Sequence, residues 1–286
     1  MTILKTIVLD LDGTLLNDEK KISPKTKKAL MDAQASGIKL ILASGRPTPA
    51  MYHLAKELEM DKHHGFLISF NGACVTDCET GEEIYNQHVD PSIAKELFNH
   101  LKKFDVIPMI ADDKYMYVNN VYNHLLNPRS HVDNDGSMIN IIEYEARPAN
   151  HLIREMSDFA SDVDFPLHKI LIAADPVYLL DNFEAISEPF KKKLTCVFSA
   201  PFYYEFTDQG VDKANTLNKV LEPLGMSAEN VIAFGDGHND KTLLEFAHIG
   251  VAMDNAEDEV KAIATHITHS NNEDGIATAL SKYNLI

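Results

Sequence analysis

The sequence predicts an α/β protein: a parallel sheet covered by helices on both faces, with a separate α+β domain inserted into it. Three observations carry this. Short apolar runs alternate with amphipathic stretches over residues 6–69, and the same alternation returns from Val231 onward. Between residues 87 and 201 the texture changes to hairpin-like pairs and mixed helices. A chain of 286 residues is also long for one core and comfortable for two. The expected division is 1–86 and 202–286 for the first domain and 87–201 for the insertion.

Thr6–Leu11 is a compact apolar run that enters a tight turn at Asp10-Leu11-Asp12-Gly13, the pattern of a buried strand. Ser23-Pro24 opens a helix as N-cap and first-turn proline, and Gly37 closes it. Ile38–Ala43 is the next buried strand, followed by Ser44-Gly45-Arg46-Pro47, a helix to Leu58, and a strand at Phe66–Ser69. Late in the chain, Val231–Phe234 and Val251–Met253 are strands, and Asn239–Phe246 and Glu257–Ala264 are helices. A last helix follows Asp274-Gly275. In the insertion, Val106–Ala111 and Met116–Asn119 form a hairpin across Asp112-Asp113-Lys114. Helices are expected at Ala94–Phe104, Asn150–Phe159 and Val177–Ile186, alternating with runs at Ile139–Tyr144 and Lys169–Ala173.

Composition narrows the partners. Apolar residues are 45% and charged residues 24%, ordinary for a globular enzyme. The net charge of −17 repels nucleic acid and anionic membrane, so neither is an expected partner. It also repels a phosphorylated metabolite, so any anion site must be built locally from cations, backbone N–H groups and a metal. The three cysteines, Cys74, Cys78 and Cys196, lack the number and spacing of a disulfide framework or zinc site and read as reduced thiols. No stretch approaches the ~20 apolar residues of a membrane span, and Ile7-Val8-Leu9 runs straight into Asp10 without a signal-peptide core. A cytoplasmic location is expected.

Ligands of open α/β sheets bind at the carboxyl ends of the strands. Four clusters fall there. Asp10 and Asp12 can converge on one small site while Gly13 turns the chain past it. A carboxylate attacks phosphorus when neighbours cancel the repulsion between anions, and a second carboxyl can shuttle the proton. A solvated turn is the plain alternative, and it fits the other D-x-D-G, Asp133-Asn134-Asp135-Gly136, which follows a polar stretch. A calcium loop does not fit at Asp10, because Gly13 is misplaced and no Glu completes the pattern. Ser44-Gly45-Arg46 ends a strand before a helix and can cradle phosphate. Gly235-Asp236-Gly237-His238-Asn239-Asp240 supplies carboxylates suited to magnesium, Asp236 joining Asp10 and the backbone oxygen of Asp12. A dinucleotide loop is excluded because Asp240 stands where the third glycine belongs. His238 reads as a loop residue, since magnesium favours oxygen. Lys213 in isolation would be a surface lysine; its case is the acidic site's need for a fixed cation.

Together and in this order, these clusters resemble the haloacid dehalogenase (HAD) superfamily. Asp10-Leu11-Asp12-Gly13-Thr14 looks like its first motif, Ser44 its second, Lys213 its third, and Gly235-Asp236 with Asn239-Asp240 its fourth. The insertion between the second and third motifs is similar to a type IIB cap. The Cof-type sugar-phosphatase branch fits best, through Ala43-Ser44-Gly45-Arg46-Pro47, Ser69-Phe70-Asn71-Gly72-Ala73, Val251-Ala252-Met253-Asp254-Asn255-Ala256 and Asn272-Glu273-Asp274-Gly275. The resemblance implies a Rossmann-like parallel core with an inserted α+β (type IIB) cap that covers and selects the leaving group. It implies Asp10 as nucleophile and Asp12 as acid/base. Mg²⁺ would sit on Asp10, Asp12 and Asp236 with support from Asp240, and phosphate on Leu11, Ser44, Gly45, Lys213 and Asn239. Two departures stand out. Asp212 and Ala214 flank Lys213 where the family often has Ser and Gly, so Asp212 either holds or partly neutralises that cation, and Phe70 replaces a frequent Tyr.

The leading expectation is therefore Mg²⁺-dependent hydrolysis of small phosphomonoesters. Arg129, His131 and Lys169 are candidate specificity contacts. A phosphomutase using the same aspartyl-phosphate is the nearest rival, separated only by whether water or a sugar hydroxyl accepts the phosphoryl group. A non-catalytic phospho-acceptor switch is the rival from another class. Asp12, two residues after the nucleophile, and the long insertion argue against it.

Overall fold

The computed structural model describes residues 4–112, 114–130 and 136–286. It divides into two compact units, Met1–Asn86 with Asp212–Ile286, and Gln87–Val211.

The first unit begins with β1 (Thr6–Leu9), α1 (Pro24–Ala35), β2 (Lys39–Ala43), α2 (Tyr52–Glu57) and β3 (Phe66–Ser69). Ser23 caps α1 by accepting from Thr26 N, and Pro24 occupies its first turn, as the sequence implies. Next come β4 (Cys74–Asp77) and β5 (Glu83–Asn86), an antiparallel hairpin the sequence reading missed.

The second unit follows. Its elements are α3 (Pro91–Leu101), β6 (Ile107–Ala111), β7 (Tyr115–Val118), the small pair β8 (Leu125–Leu126) and β9 (Ile139–Asn140), α4 (Ile141–Ala149), β10 (Leu152–Glu155), α5 (Phe159–Asp162), β11 (Lys169–Ala173), α6 (Pro176–Ser187), β12 (Leu194–Ala200) and β13 (Tyr203–Asp208). The chain then returns to the first unit with α7 (Lys213–Leu221), β14 (Val231–Gly235), α8 (Lys241–Phe246), β15 (Ile249–Ala252), α9 (Asp258–Ile263), β16 (His266–Ile267) and α10 (Gly275–Lys282).

Among the described residues the first unit holds an eight-stranded sheet in the order β16-β15-β14-β1-β2-β3-β4-β5. It is parallel from β16 to β3 and antiparallel only at the β4 and β5 edge. All four residues of β1 are buried, because a central parallel strand is covered on both faces. Alternate side chains then feed two cores. Ile7, Leu9, Leu40, Leu42 and Phe234 pack with Leu30 and Leu280 from α1 and α10. Val8, Ile41, Ala43 and Ala233 pack with Leu217, Leu243 and Val260 from α7, α8 and α9. Each such Leu, Ile or Phe contributes about 1.5–3 kcal/mol of burial, which makes the strand ends rigid supports.

The second unit is a six-stranded mixed sheet, order β10-β7-β6-β11-β13-β12, confirming an α+β insertion. One face packs Ile170, Ile172, Tyr204 and Phe206 on Leu97, Phe98, Phe159 and Leu179. The other packs Met109, Met116, Leu171 and Tyr203 on Ile141, Ile142 and Ala146 of α4.

Three expectations change here. The run at Ile139–Tyr144 turns into helix α4, because the Asn140 side chain caps Glu143 N and Asn150 closes the far end in the left-handed region. The helix expected over Asn150–Phe159 is instead strand β10, pairing in parallel with β7, and only then the short α5. The expected boundary at 202 moves to 212, since Tyr203–Asp208 pairs between Lys169–Ala173 and Leu194–Ala200 in the insertion's own sheet. Asp113 of the expected hairpin turn and the second D-x-D-G at Asp133–Asp135 lie outside the described residues.

Candidate active site

Asp10 follows β1 directly, and its N–H donates to Phe234 O at the end of β14, so the two strand ends are locked together. Its carboxylate meets Lys213, the first residue of α7. The Lys213 ammonium is fully buried and donates to Asp10 Oδ1 and Asp240 Oδ1, each at 2.6 Å. Asp240 is fixed in turn: its Oδ2 accepts the backbone N–H groups of Asp236 and Gly237, both at 3.0 Å. Asp236 Oδ1 accepts from the Thr14 hydroxyl at 2.6 Å. Gly13 turns beneath at φ +84°, and a Cβ there would lie 2.2 Å from Asp236 Oδ2. Position 13 therefore needs glycine for conformation and for space.

Burial dominates the electrostatics. It raises the Asp10 carboxyl well above its ordinary value; Asp240 pushes the same way, Lys213 opposes, and Asp236 adds. Asp236 is pushed up to about 7 by burial and by Asp240, against the Thr14 hydrogen bond. Lys213 is disfavoured by burial, yet Asp10 and Asp240 outweigh that and hold it protonated above the ordinary lysine range.

These groups fit a hard divalent cation. Asp10, Asp236 and Asp240 each offer an oxygen, all within 4.8 Å of one another. Carboxylates without Cys or His are the donor set that magnesium takes. Asp240 already serves Lys213 and two N–H groups, so Asp10 and Asp236 are the better placed donors.

Asp12 points elsewhere. Its carboxylate takes a two-pronged grip from Arg46, Nε to Oδ2 and Nη2 to Oδ1 at 2.6 Å each, plus Lys20 Nζ at 2.8 Å. Burial works against its charge, but the Arg46 hydrogen bonds and charge, with Lys20, hold it below the usual carboxylate range. Its side chain thus stands outside the acidic cluster, which leaves only its backbone oxygen for a metal.

Ser44 and Gly45 follow β2, next to β1 in the sheet. Ser44 is buried, and its hydroxyl accepts from Arg46 N at 3.2 Å. Asn239 donates through Nδ2 to Asn71 Oδ1 at 3.1 Å. Leu11 is wholly buried in the loop after β1. Asp212 does not touch the Lys213 ammonium; it caps α7 through Ala214 N and Asn215 N. His238 stays half-exposed, with its Nδ1 3.9 Å from Glu259.

The sequence reading named Asp12 but missed Arg46 and Lys20 as its partners and Thr14 as the hydroxyl on Asp236; Asn71 entered it only within the Ser69–Ala73 signature, with no role. Lys20 and Arg46 lie 8 and 34 positions from Asp12, and nothing in the sequence pairs them with it until the strands align. In the second unit, Lys169 is buried against Glu205 at 2.9 Å and Arg129 is exposed. His131 lies outside the described residues.

A family model of haloacid dehalogenase-like hydrolases matches residues 7–280, and the chain belongs to that family. Two relatives are 31% identical. One is the 5-amino-6-(5-phospho-D-ribitylamino)uracil phosphatase YcsE of Bacillus subtilis, aligned over 97% of this chain and 94% of its own. The other is the pyridoxal phosphate phosphatase YbhA of Escherichia coli, over 96% of both chains. A crystal structure of a haloacid dehalogenase-like hydrolase from Bacteroides thetaiotaomicron is 35% identical, covers 98% of this chain and 99% of its own, and superposes with a TM-score of 0.82. Within the superfamily the chain falls in the Cof-type branch, and it is an enzyme, a HAD-type phosphatase.

Proposed function

We propose that the protein hydrolyses small phosphorylated metabolites with Mg²⁺, through an aspartyl-phosphate on Asp10. The observation that carries this is the buried Lys213 ammonium bridging Asp10 and Asp240 beside Asp236. A fixed cation and carboxylates aimed at one point are what phosphoryl transfer to a carboxylate requires.

Mg²⁺, held by Asp10, Asp236 and the Asp12 backbone oxygen with Asp240 as brace, would supply charge neutralisation and orientation of a phosphate oxygen. Asp10 Oδ attacks phosphorus, and the ester oxygen leaves. Lys213 offsets the negative charge that gathers on the phosphoryl oxygens, joined by Ser44, Gly45, Asn239 and the Leu11 N–H. Asp12 donates a proton to the leaving oxygen and later takes one from the water that hydrolyses the acyl phosphate. Held by Arg46 and Lys20 it is ionised, ready for the second role; loading it with a proton for the first requires loosening that grip.

The substrate class follows the relatives, which dephosphorylate a vitamin phosphate and a ribityl phosphate by name. No helix among the described residues is long and apolar enough to cross a membrane, which accords with action on soluble metabolites in the cytoplasm. The test is hydrolysis of p-nitrophenyl phosphate and a panel of phosphorylated metabolites in ¹⁸O-labelled water. Phosphate carrying the label, lost on chelation or in Asp10→Asn, is the expected result. Transfer of unlabelled phosphoryl to a sugar hydroxyl would instead mean a mutase. A phospho-Asp10 that persists without turnover would mean a switch.

A further inference from the structure

Asn71 lies in a turn, Phe70-Asn71-Gly72, whose three residues all have positive φ (52°, 57° and 111°). Successive left-handed residues are costly unless the surroundings hold them, and such turns concentrate at functional sites. This turn touches every chain segment that carries an expected phosphate ligand beyond the first loop. Phe70 N donates to Arg46 O at 3.0 Å and Asn71 N to Ser44 O at 2.9 Å. Gly72 O accepts from the buried Thr216 hydroxyl at 2.7 Å, and a Cβ on Gly72 would lie 2.6 Å from Asp212 O, the residue before Lys213.

Those contacts are made by backbone, and any residue tolerant of the left-handed region could make them. The Asn71 side chain does something else. It is buried, its Oδ1 accepts from Asn239 Nδ2, and its amide lies against Gly45, where a Cβ would come within 3.0 Å of Oδ1. An amide nitrogen carries two hydrogens; anchoring one fixes the direction of the other.

We infer that Asn71 is a positioning residue for the phosphoryl pocket: it sets the Asn239 amide and the Ser44-Gly45 loop in one arrangement. This rests on the proposed hydrolysis through Asp10. The two loops come from separate strands, and without Asn71 each keeps its own backbone but loses its side-chain link to the other. Binding of the phosphoryl group then has to order them, so affinity for a phosphoryl mimic falls while the fold stands.

The experiment is a double-mutant cycle of Asn71→Gly and Asn239→Ala, read by orthovanadate inhibition and by kcat and KM for p-nitrophenyl phosphate with Mg²⁺. Glycine keeps the left-handed backbone, so the variant isolates the side chain. Asn71→Gly is expected to weaken vanadate inhibition and lower kcat/KM by roughly 10–100-fold, with thermal midpoint nearly unchanged. The same change on the Asn239→Ala background should cost far less, because the partner is gone. Vanadate inhibition within about twofold of the unaltered protein, or equal losses on both backgrounds, would overturn the inference. If Asn71→Gly does not fold, Asn71→Ser, whose hydroxyl stops short of Asn239, carries the same expectations and the same refutation. Failure of the proposed hydrolysis looks different: the unaltered protein itself would show neither turnover nor vanadate inhibition.

Discussion

Replacing Lys213 with methionine tests the physical centre of the site. The ammonium has no exposed surface and two 2.6 Å contacts, to Asp10 and Asp240. Each contact is worth roughly 6 kcal/mol gross at an effective dielectric of about 20, most of it offset by the loss of water. What Lys213→Met leaves behind is the costly part: two buried carboxylates facing Asp236 with no counter-charge. Breaking such a pair costs about 3–5 kcal/mol. For a domain of this size that lowers the thermal midpoint by roughly 6–20 °C. The carboxylates escape by taking up protons, so the folded variant binds more protons than the unfolded chain. Its deficit therefore grows as pH rises and shrinks toward about pH 5. Circular dichroism melts of both proteins in chelator, at about pH 5 and about pH 8, measure this. Turnover should fall on the order of 10²–10³-fold. A midpoint within about 2 °C of the unaltered protein at the higher pH, with turnover retained, would refute the reasoning.

Two further outcomes follow from the same geometry. Burial and the neighbouring Asp240 push the Asp236 carboxyl up to about 7, so the metal-free native state holds a proton that the unfolded chain releases; its stability falls as pH rises from the ordinary carboxylate value toward that point. Because Mg²⁺ requires the ionised form, its activation constant should rise about tenfold per pH unit below that point, and Mg²⁺ titrations of turnover at a series of pH values would expose a flat dependence. Arg46→Ala releases the grip that lowers the Asp12 carboxyl, so Asp12 keeps the proton it gives to the leaving oxygen to higher pH and the basic limb of the kcat/KM profile should move to higher pH, with a loss of roughly 10–100-fold from its lost positioning; an unshifted limb would separate Asp12 from proton transfer.

Much of the first unit was legible because its strands are short, apolar and buried on both faces, and because Ser23-Pro24 and Gly13 punctuate them. The acidic residues at the strand ends were legible for the same reason: polar groups directly after Leu9 and Gly235 need an explanation. The grip of Arg46 and Lys20 on Asp12 was not, since it depends on which side chain of a loop faces inward. The insertion was harder. Whether Ile139–Tyr144 extends or coils is decided by Asn140 and Asn150, single capping residues that look like any polar flank. Leu152–Glu155 is an exposed edge strand whose pairing with Tyr115–Val118 no periodicity announces. The expected boundary at 202 falls between Leu194–Ala200 and Tyr203–Asp208, because the sequence does not announce that these two runs pair with each other inside the insertion.

The bond between Lys213 and Asp10 spans 203 positions of sequence, and the brace on Gly13 O comes from Asn255, itself held by Asn271 N. On a ribosome these parts emerge in order, the acid first and its cation long afterwards. The Asp10 carboxylate consequently spends most of synthesis without the cation that it is buried against in the folded chain. Chemical competence arrives late and all at once, when the closing segment from Asp212 to Ile286 folds onto the beginning.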